Sequence, residues 1–267
     1  MKRLAGIWLA VCLAAAPARA DVWDLGTDAD NDTGSDNEIV HGLSQVHDMA
    51  ARGGGTILDA DFYTFRLPNS RSYEIRVDGF TGDTSGTTTP DVSLLASDGT
   101  TVVALAEPVT SFGVAKSLRV ASTTMGGTNF TSYYVLVANP ACGLTCTGTD
   151  EYRIRAFDTT LALPRYNNTG GQVTVLVLQN PTNRSVNFFA GAFSNAGALQ
   201  GTFGAILAPY AASIINLSTV NTGQLNNTSG SLVIRNDGPY QGLAGKAVSL
   251  EPATGFTFDT QLVPAPQ

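Results

Sequence analysis

The chain has 267 residues, of which 43% are hydrophobic and 14% charged, with 22 acidic against 15 basic residues and a formal net charge of −7 at pH 7. That acidic balance excludes a partner held by its own negative charge, so neither nucleic acid nor an anionic membrane surface is expected. Past the first 20 residues no stretch approaches the roughly 20 apolar residues of a membrane span, so no transmembrane segment is expected either.

The first 20 residues have the form of an export signal. Lys2 and Arg3 give a charged start, residues 4–15 are apolar, and Ala18-Arg19-Ala20 is a small-residue cleavage site before Asp21. The apolar run is too short for a membrane helix. Lipid attachment would use Cys12, and Val11 before it fits poorly where a small residue is wanted. The expectation is a secreted protein, periplasmic or extracellular. Cleavage removes Lys2, Arg3 and Arg19 and no acid, leaving 12 basic against 22 acidic residues, a net charge of −10. The remaining length exceeds the usual size of one domain, and two are expected, over residues 21–157 and 158–267.

Of the three cysteines, Cys12 leaves with the signal. Cys142 and Cys146 remain as a close pair in an oxidising compartment, where a structural disulfide is expected. A redox motif would want C-x-x-C at a helix start in a βαβ pattern. Metal ligation by these thiols would want a further Cys or His close by, and the sequence has none there.

Residues 21–36 are acidic and lack apolar periodicity, the character of a tether or of a ligand-bearing loop. Counted from Asp28, an EF-hand would need Gly at position six and Glu at position twelve, where Thr33 and Ile39 stand. By spacing alone a solvated acidic linker is the better reading. The two histidines, His41 and His47, follow with Asp48. They are too few for a zinc site and are expected at the surface.

From residue 58 the pattern becomes that of strands. Leu58-Asp-Ala-Asp-Phe-Tyr-Thr-Phe-Arg-Leu67 sets Asp59 and Asp61 two apart at the mouth of a strand. Tyr63, Phe65 and Leu67 then share one face, and Phe62, Thr64 and Arg66 the other. Residues 73–78 alternate, with Tyr73, Ile75 and Val77 toward a core and Glu74, Arg76 and Asp78 toward water. Residues 92–96 and 101–104 flank the turn pair Asp98-Gly99. Further strands are expected at 117–121, 133–137 and 152–156. Short strands between turn residues predict an all-β fold built from β-sandwiches.

Several of these segments together carry a family likeness. Asn31-Asp32 in an acidic stretch, Asp59-Ala-Asp-Phe-Tyr-Thr-Phe65, Pro90-Asp-Val-Ser-Leu-Leu, Ser132-Tyr-Tyr-Val-Leu-Val and Asp150-Glu-Tyr-Arg-Ile follow in that order. The succession, over residues 27–157, resembles the bacterial pre-peptidase C-terminal (PPC) domain, a jelly-roll-like sandwich related to the collagen-binding domains of clostridial collagenases. Such domains are usually appended to secreted peptidases, and some hold calcium between an acidic leading segment and the D-x-D before a strand. The resemblance assigns calcium ligation to Asp30, Asn31, Asp32, Asp59 and Asp61. This chain has Asp where the family's leading segment has Glu, at a shifted spacing. Independently of the family, several carboxylates drawn together resist joint ionisation, and a Ca²⁺ ion with its 6–8 oxygen ligands would relieve them. Bare surface acids are the other reading.

Residues 164–171, Pro-Arg-Tyr-Asn-Asn-Thr-Gly-Gly, interrupt the pattern and are expected at the junction of the two domains. Strands are expected beyond it at 172–178, 185–189, 201–207, 212–217, 230–235 and 243–250. This half resembles a bacterial immunoglobulin-like sandwich at the level of fold alone. Tyr210, Tyr240, Phe256 and Phe258 could line a sugar or peptide platform, although aromatics on a strand more often pack in the core.

Catalytic patterns are absent from the sequence. The imidazoles sit close together near the start, and no G-x-S-x-G elbow, H-E-x-x-H or phosphate-binding loop occurs. Asp91, Asp98 and Glu107 could serve as a glycosidase pair only if brought together. The expected function is non-catalytic: extracellular binding or attachment to a protein or polysaccharide, with a calcium-stiffened first domain. The alternatives are an accessory module of a secreted peptidase system, a hydrolase, and a structural part of an envelope layer.

Overall fold

The computed structural model describes residues 32–35, 37–51, 55–79, 90–109, 115–140 and 142–266. Residues 1–20, expected from the sequence to be an export signal, and the expected ligands Asp30 and Asn31 lie outside the described residues. Alternating side chains punctuated by Gly, Asn, Asp and Pro produce short antiparallel strands and no α-helix among the described residues. No helix there is long and apolar enough to cross a membrane.

The strands of the N-terminal part are β1 (Ser44–Asp48), β2 (Ala60–Pro68), β3 (Ser72–Gly79), β4 (Asp91–Leu95), β5 (Val102–Leu105), β6 (Glu107–Pro108), β7 (Lys116–Ala121), β8 (Phe130–Ala138) and β9 (Glu151–Asp158). They form two sheets, β1-β9-β3-β7-β6 and β2-β8-β4-β5. Those that follow are β10 (Leu161–Asn167), β11 (Val173–Gln179), β12 (Val186–Phe193), β13 (Leu199–Leu207), β14 (Ala212–Asn216), β15 (Ser229–Asn236), β16 (Ala244–Glu251), β17 (Phe256–Gln261) and β18 (Val263–Pro264). They form the sheets β13-β12-β15-β10-β18 and β14-β11-β16-β17. The architecture is all-β, four antiparallel sheets stacked in two pairs.

Each pair encloses its own apolar cluster. Tyr63, Phe65 and Leu67 of β2 meet Ile75 and Val77 of β3, Leu118 of β7 and Ile154 of β9 in the first. Leu176 and Leu178 of β11 meet Leu163 of β10, Ala190 of β12 and Leu232 and Ile234 of β15 in the second. Each fully buried aliphatic or aromatic side chain of this kind contributes about 1.5–3 kcal/mol.

Three segments depart from the sequence expectation. His47 is fully buried rather than on the surface. The polar stretch 44–48 is drawn in because it pairs along the edge of β9, which sets His47 opposite Tyr152. The segment 164–171 is no simple break, because Pro164 to Asn167 belong to β10, paired with β15. The register shifts between Leu163 and Tyr166, so the ladder needs no N–H from Pro164. Glu74, expected in water, is 1% exposed. Its face of β3 is covered by the second pair of sheets.

That junction is polar and closely bonded. The Asn236 N–H donates to Ser72 Oγ (3.0 Å), and its side-chain amide donates to the Thr159 carbonyl (2.8 Å). The Ser72 N–H donates to Thr160 Oγ1 (2.9 Å). Glu74 accepts the Tyr240 N–H (2.8 Å) and the Ser117 hydroxyl (2.6 Å), with Arg76 at 3.3 Å. Tyr240 stacks on Phe157 with ring centroids 4.8 Å apart. Buried polar groups satisfied on both sides make this a specific seam rather than a loose linker.

Candidate functional site

Asp59 and Asp61 share the inward side of the strand that carries Tyr63, Phe65 and Leu67, because side chains two apart lie on one face. Both are 1% exposed, so the mouth of β2 is a closed position and not a solvated rim. The Ala60 N–H donates to Asp59 Oδ1 at 3.0 Å. The Tyr152 hydroxyl, on β9, donates to Asp61 Oδ2, and Tyr63 bonds to the same hydroxyl. His47 stacks over Tyr152 at 5.6 Å and meets Tyr63 edge-on at 5.0 Å, while its Nε2 lies 3.3 Å from Gln45 Oε1. A polar node thus crosses the sandwich from β2 to β1 and β9. Burial, reinforced by the Asp61 carboxylate and then by Tyr63, holds the Tyr152 phenol well above its ordinary pKa.

The acidic leader approaches the same strand. The Ile39 N–H donates to the Thr64 carbonyl (3.0 Å), and the Thr64 N–H donates to the Asn37 carbonyl (2.7 Å). Glu38 and Thr64 thereby form a parallel bridge. Thr64 also donates its hydroxyl to the Ser35 carbonyl (3.2 Å). Because the bridge is parallel, the leader's earlier residues run toward the end of β2 that carries Asp59 and Asp61. Asp32 is exposed, and its Oδ1 accepts the Gly34 N–H at 2.7 Å. Thr33 presses on Gly99 of the β4–β5 turn, where an added Cβ would stand 2.1 Å from the threonine methyl. Gly99 also has φ +69°, which a glycine adopts without strain.

As a donor set, Asp32, Asp59 and Asp61 are hard oxygen ligands of the type calcium takes. Among the described residues no three His, Cys, Asp or Glu side chains stand together as a metal cluster. Asp30 and Asn31 fall outside the described residues. Cys142 and Cys146 are joined in a disulfide with Cα atoms 5.2 Å apart, closing the short turn before β9.

Clefts open along the seam. One of about 440 Å³ is lined by Glu107, Arg119, Arg184 and Asp237. Its charges sum to zero, because Arg119 (2.5 Å) and Arg184 both bind Glu107 and Asp237 supplies the second negative charge. The guanidinium of Arg184 leads in holding the Glu107 carboxyl below its usual pKa, with Arg119 adding to it against the opposing effect of burial. Another of about 280 Å³ lies between residues 158–161 and 239–245. The aromatics considered from sequence form no single platform. Tyr210, Tyr240, Phe256 and Phe258 are all exposed rather than in the core. Tyr240 is engaged with Phe157, Tyr210 caps the β13–β14 turn, and Phe256 and Phe258 lie on β17 at the far edge of that sheet. Phe256 and Phe258 stay exposed on β17, the edge strand of its sheet. Sequence reasoning missed Tyr152, Tyr63 and His47 as one node. Its only signal was a polar tip at each inward position, which the strand pattern reads as ordinary core.

The fold and this node define a protein of stacked antiparallel sheets with a buried carboxylate–phenol centre. The sequence matches no protein-family model and no curated protein. Among solved structures it is similar to a beta-glucuronidase from glycoside hydrolase family 2, at 8% identity and a TM-score of 0.19. That likeness covers 80% of this chain and 25% of the other, so the chain spans about a quarter of that protein's length. A superposition this loose carries nothing about fold or activity.

Proposed function

We propose that the protein is an exported, non-catalytic binding or attachment protein whose first sandwich is stiffened by calcium held between the acidic leader and the mouth of β2. The observation that carries this reading is the parallel bridge between Glu38 and Thr64, which ties the leader to the strand bearing Asp59 and Asp61. Calcium would take oxygens from Asp59 and Asp61 and from Asp30, Asn31 and Asp32 of the leader, locking that leader down. The PPC likeness points the same way. Two further features support the reading. The imidazole Nδ1 of His41 accepts the Asp158 N–H (2.7 Å), and His47 is enclosed in the core, so both imidazoles serve the fold. The disulfide suits an oxidising compartment.

The partner is a protein or polysaccharide met outside the cytoplasm. The test is binding of the purified protein, with and without Ca²⁺, to a panel of immobilised glycans and matrix proteins, run beside turnover assays on glycosides and peptides. Saturable, calcium-sensitive binding without turnover is expected. Turnover on any of those substrates would overturn the non-catalytic reading.

A further inference from the structure

The sheet β14-β11-β16-β17 has an open edge at β14. The Leu217 N–H donates to the Thr174 carbonyl and the Asn180 N–H to the Ala211 carbonyl, both at 2.9 Å. With the register Leu176↔Ile215 and Leu178↔Ser213, this turns the main-chain groups of Ser213, Ile215 and Leu217 toward β11. The alternate residues, Ala212, Ile214 and Asn216, therefore direct their N–H and C=O groups outward. Among the described residues no strand pairs with that side. The Asn216 carbonyl is taken by the Thr219 N–H (3.1 Å) and hydroxyl (3.0 Å).

Sheet edges are usually blunted by charge, proline or a covering segment. The β13 edge is covered, since the Asn221 amide donates to the Thr202 carbonyl. The β17 edge carries Asp259, paired with Lys246 at 2.5 Å. The β14 sequence, Ala-Ser-Ile-Ile-Asn, has no such device, and Ile214 is 76% exposed on the outer face beside Val177. From Ser185 to Ile234 the chain carries no charged side chain, although its net charge is −7. Two copies repel through most of their surface, but along this strip no like charges would face each other.

We propose that a second copy of this chain pairs along β14, antiparallel, about a two-fold axis at Ile214. That register sets Ile214 opposite its counterpart, Ala212 opposite Asn216 and Ser213 opposite Ile215. The Ile214 residues exchange both N–H···O bonds, and each Asn216 N–H donates to the opposing Ala212 carbonyl. The contact is self-complementary, as a two-fold interface must be. The two Ile214 side chains stand side by side on the outer face, a favourable cross-strand pair, and continue the aliphatic row of Val177, Val175 and Val248. Two four-stranded sheets become one continuous sheet.

Sedimentation velocity and light scattering over a concentration series of the purified protein test this. A twofold rise in mass is expected, lost in Ile214→Lys, whose exposed side chain leaves folding unchanged. Leu105→Lys, at an exposed site on β5, should still dimerise. Oxidised Ile214→Cys should give a covalent dimer, because hydrogen-bonded antiparallel pairs hold Cα atoms about 5.5 Å apart, within disulfide range. A wild-type protein that stays monomeric throughout, or a dimer that survives Ile214→Lys, would overturn the proposal.

Discussion

The Tyr152 hydroxyl on β9 donates its hydrogen bond to the Asp61 carboxylate on β2, joining the two sheets of the first sandwich through their core. A carboxylate at 1% exposure is tolerated only where donors replace its water. Tyr152→Phe keeps the ring packing and removes the donor. A loss of about 1–3 kcal/mol in urea unfolding is expected, the cost of a buried acceptor deprived of its partner. A stability within a few tenths of wild type would show that the bond matters little.

Glu74 holds the two halves together in a comparable way, accepting from Ser117 on its own sheet and from the Tyr240 N–H across the seam. Glu74→Ala leaves that part-buried N–H unanswered and Arg76 without its partner carboxylate. The expected loss is roughly 2–4 kcal/mol, below the full cost of breaking a buried pair because Arg76 is partly solvated. Differential scanning calorimetry should then resolve two transitions where the parent shows one. Glu107→Gln, at the more exposed Arg119–Glu107–Arg184 cluster, should cost at most about 1 kcal/mol.

The contrast between Glu74 and Tyr63 shows what the sequence discloses. Period-two alternation groups Tyr63, Phe65 and Leu67 on one face and turns Tyr73, Ile75 and Val77 toward a core, and both sets line the first apolar cluster, because burial of one sheet face is written in the local pattern. The same pattern sent Glu74 to water, since nothing local says that a second sandwich will cover that face. His47 was misplaced for the same reason, its burial depending on pairing with Tyr152 more than a hundred residues later. Asp59 and Asp61 were legible as a pair at a strand start, and their enclosure was not. The β10 strand was obscured by Pro164, which a bulge accommodates.

Calcium should raise the thermal midpoint of the wild-type protein, by the linkage between binding and folding. Asp59→Ala and Asp61→Ala should remove the rise but also weaken the core itself. Asp32→Ala, at an exposed leader position, separates the two effects: the metal-free midpoint should match wild type while the response to Ca²⁺ shrinks. An identical midpoint with and without Ca²⁺ in the wild type would refute calcium stiffening.

The disulfide closes a short loop, so its contribution is modest. Loop-closure entropy for a separation of this size is worth ~2 kcal/mol. The double variant Cys142→Ser/Cys146→Ser should lose about that much and keep the fold and the dimer contact, which is built on the other sandwich. Non-reducing peptide mapping by mass spectrometry should find Cys142 and Cys146 joined, and detection of both as free thiols would contradict the bridge.

Alkaline pH tests the buried phenols. Burial, then the neighbouring Asp158 carboxylate, pushes the Tyr73 phenol up to about 12, while enclosure and the Asp61 carboxylate hold the Tyr152 phenol well above its ordinary value. A phenol whose folded pKa lies above its unfolded value near 10 binds its proton more tightly in the folded state. The stability it lends is therefore complete below pH 10 and drains away as pH rises from there through the folded pKa. Urea midpoints should hold steady up to pH 10 and then fall, and Tyr152→Phe should flatten that fall while starting from a lower plateau. Absorbance near 295 nm should show a fraction of tyrosines ionising only together with unfolding. A smooth titration of all tyrosines near pH 10 with the fold intact would mean that the node between Asp61, Tyr63 and Tyr152 is open to solvent.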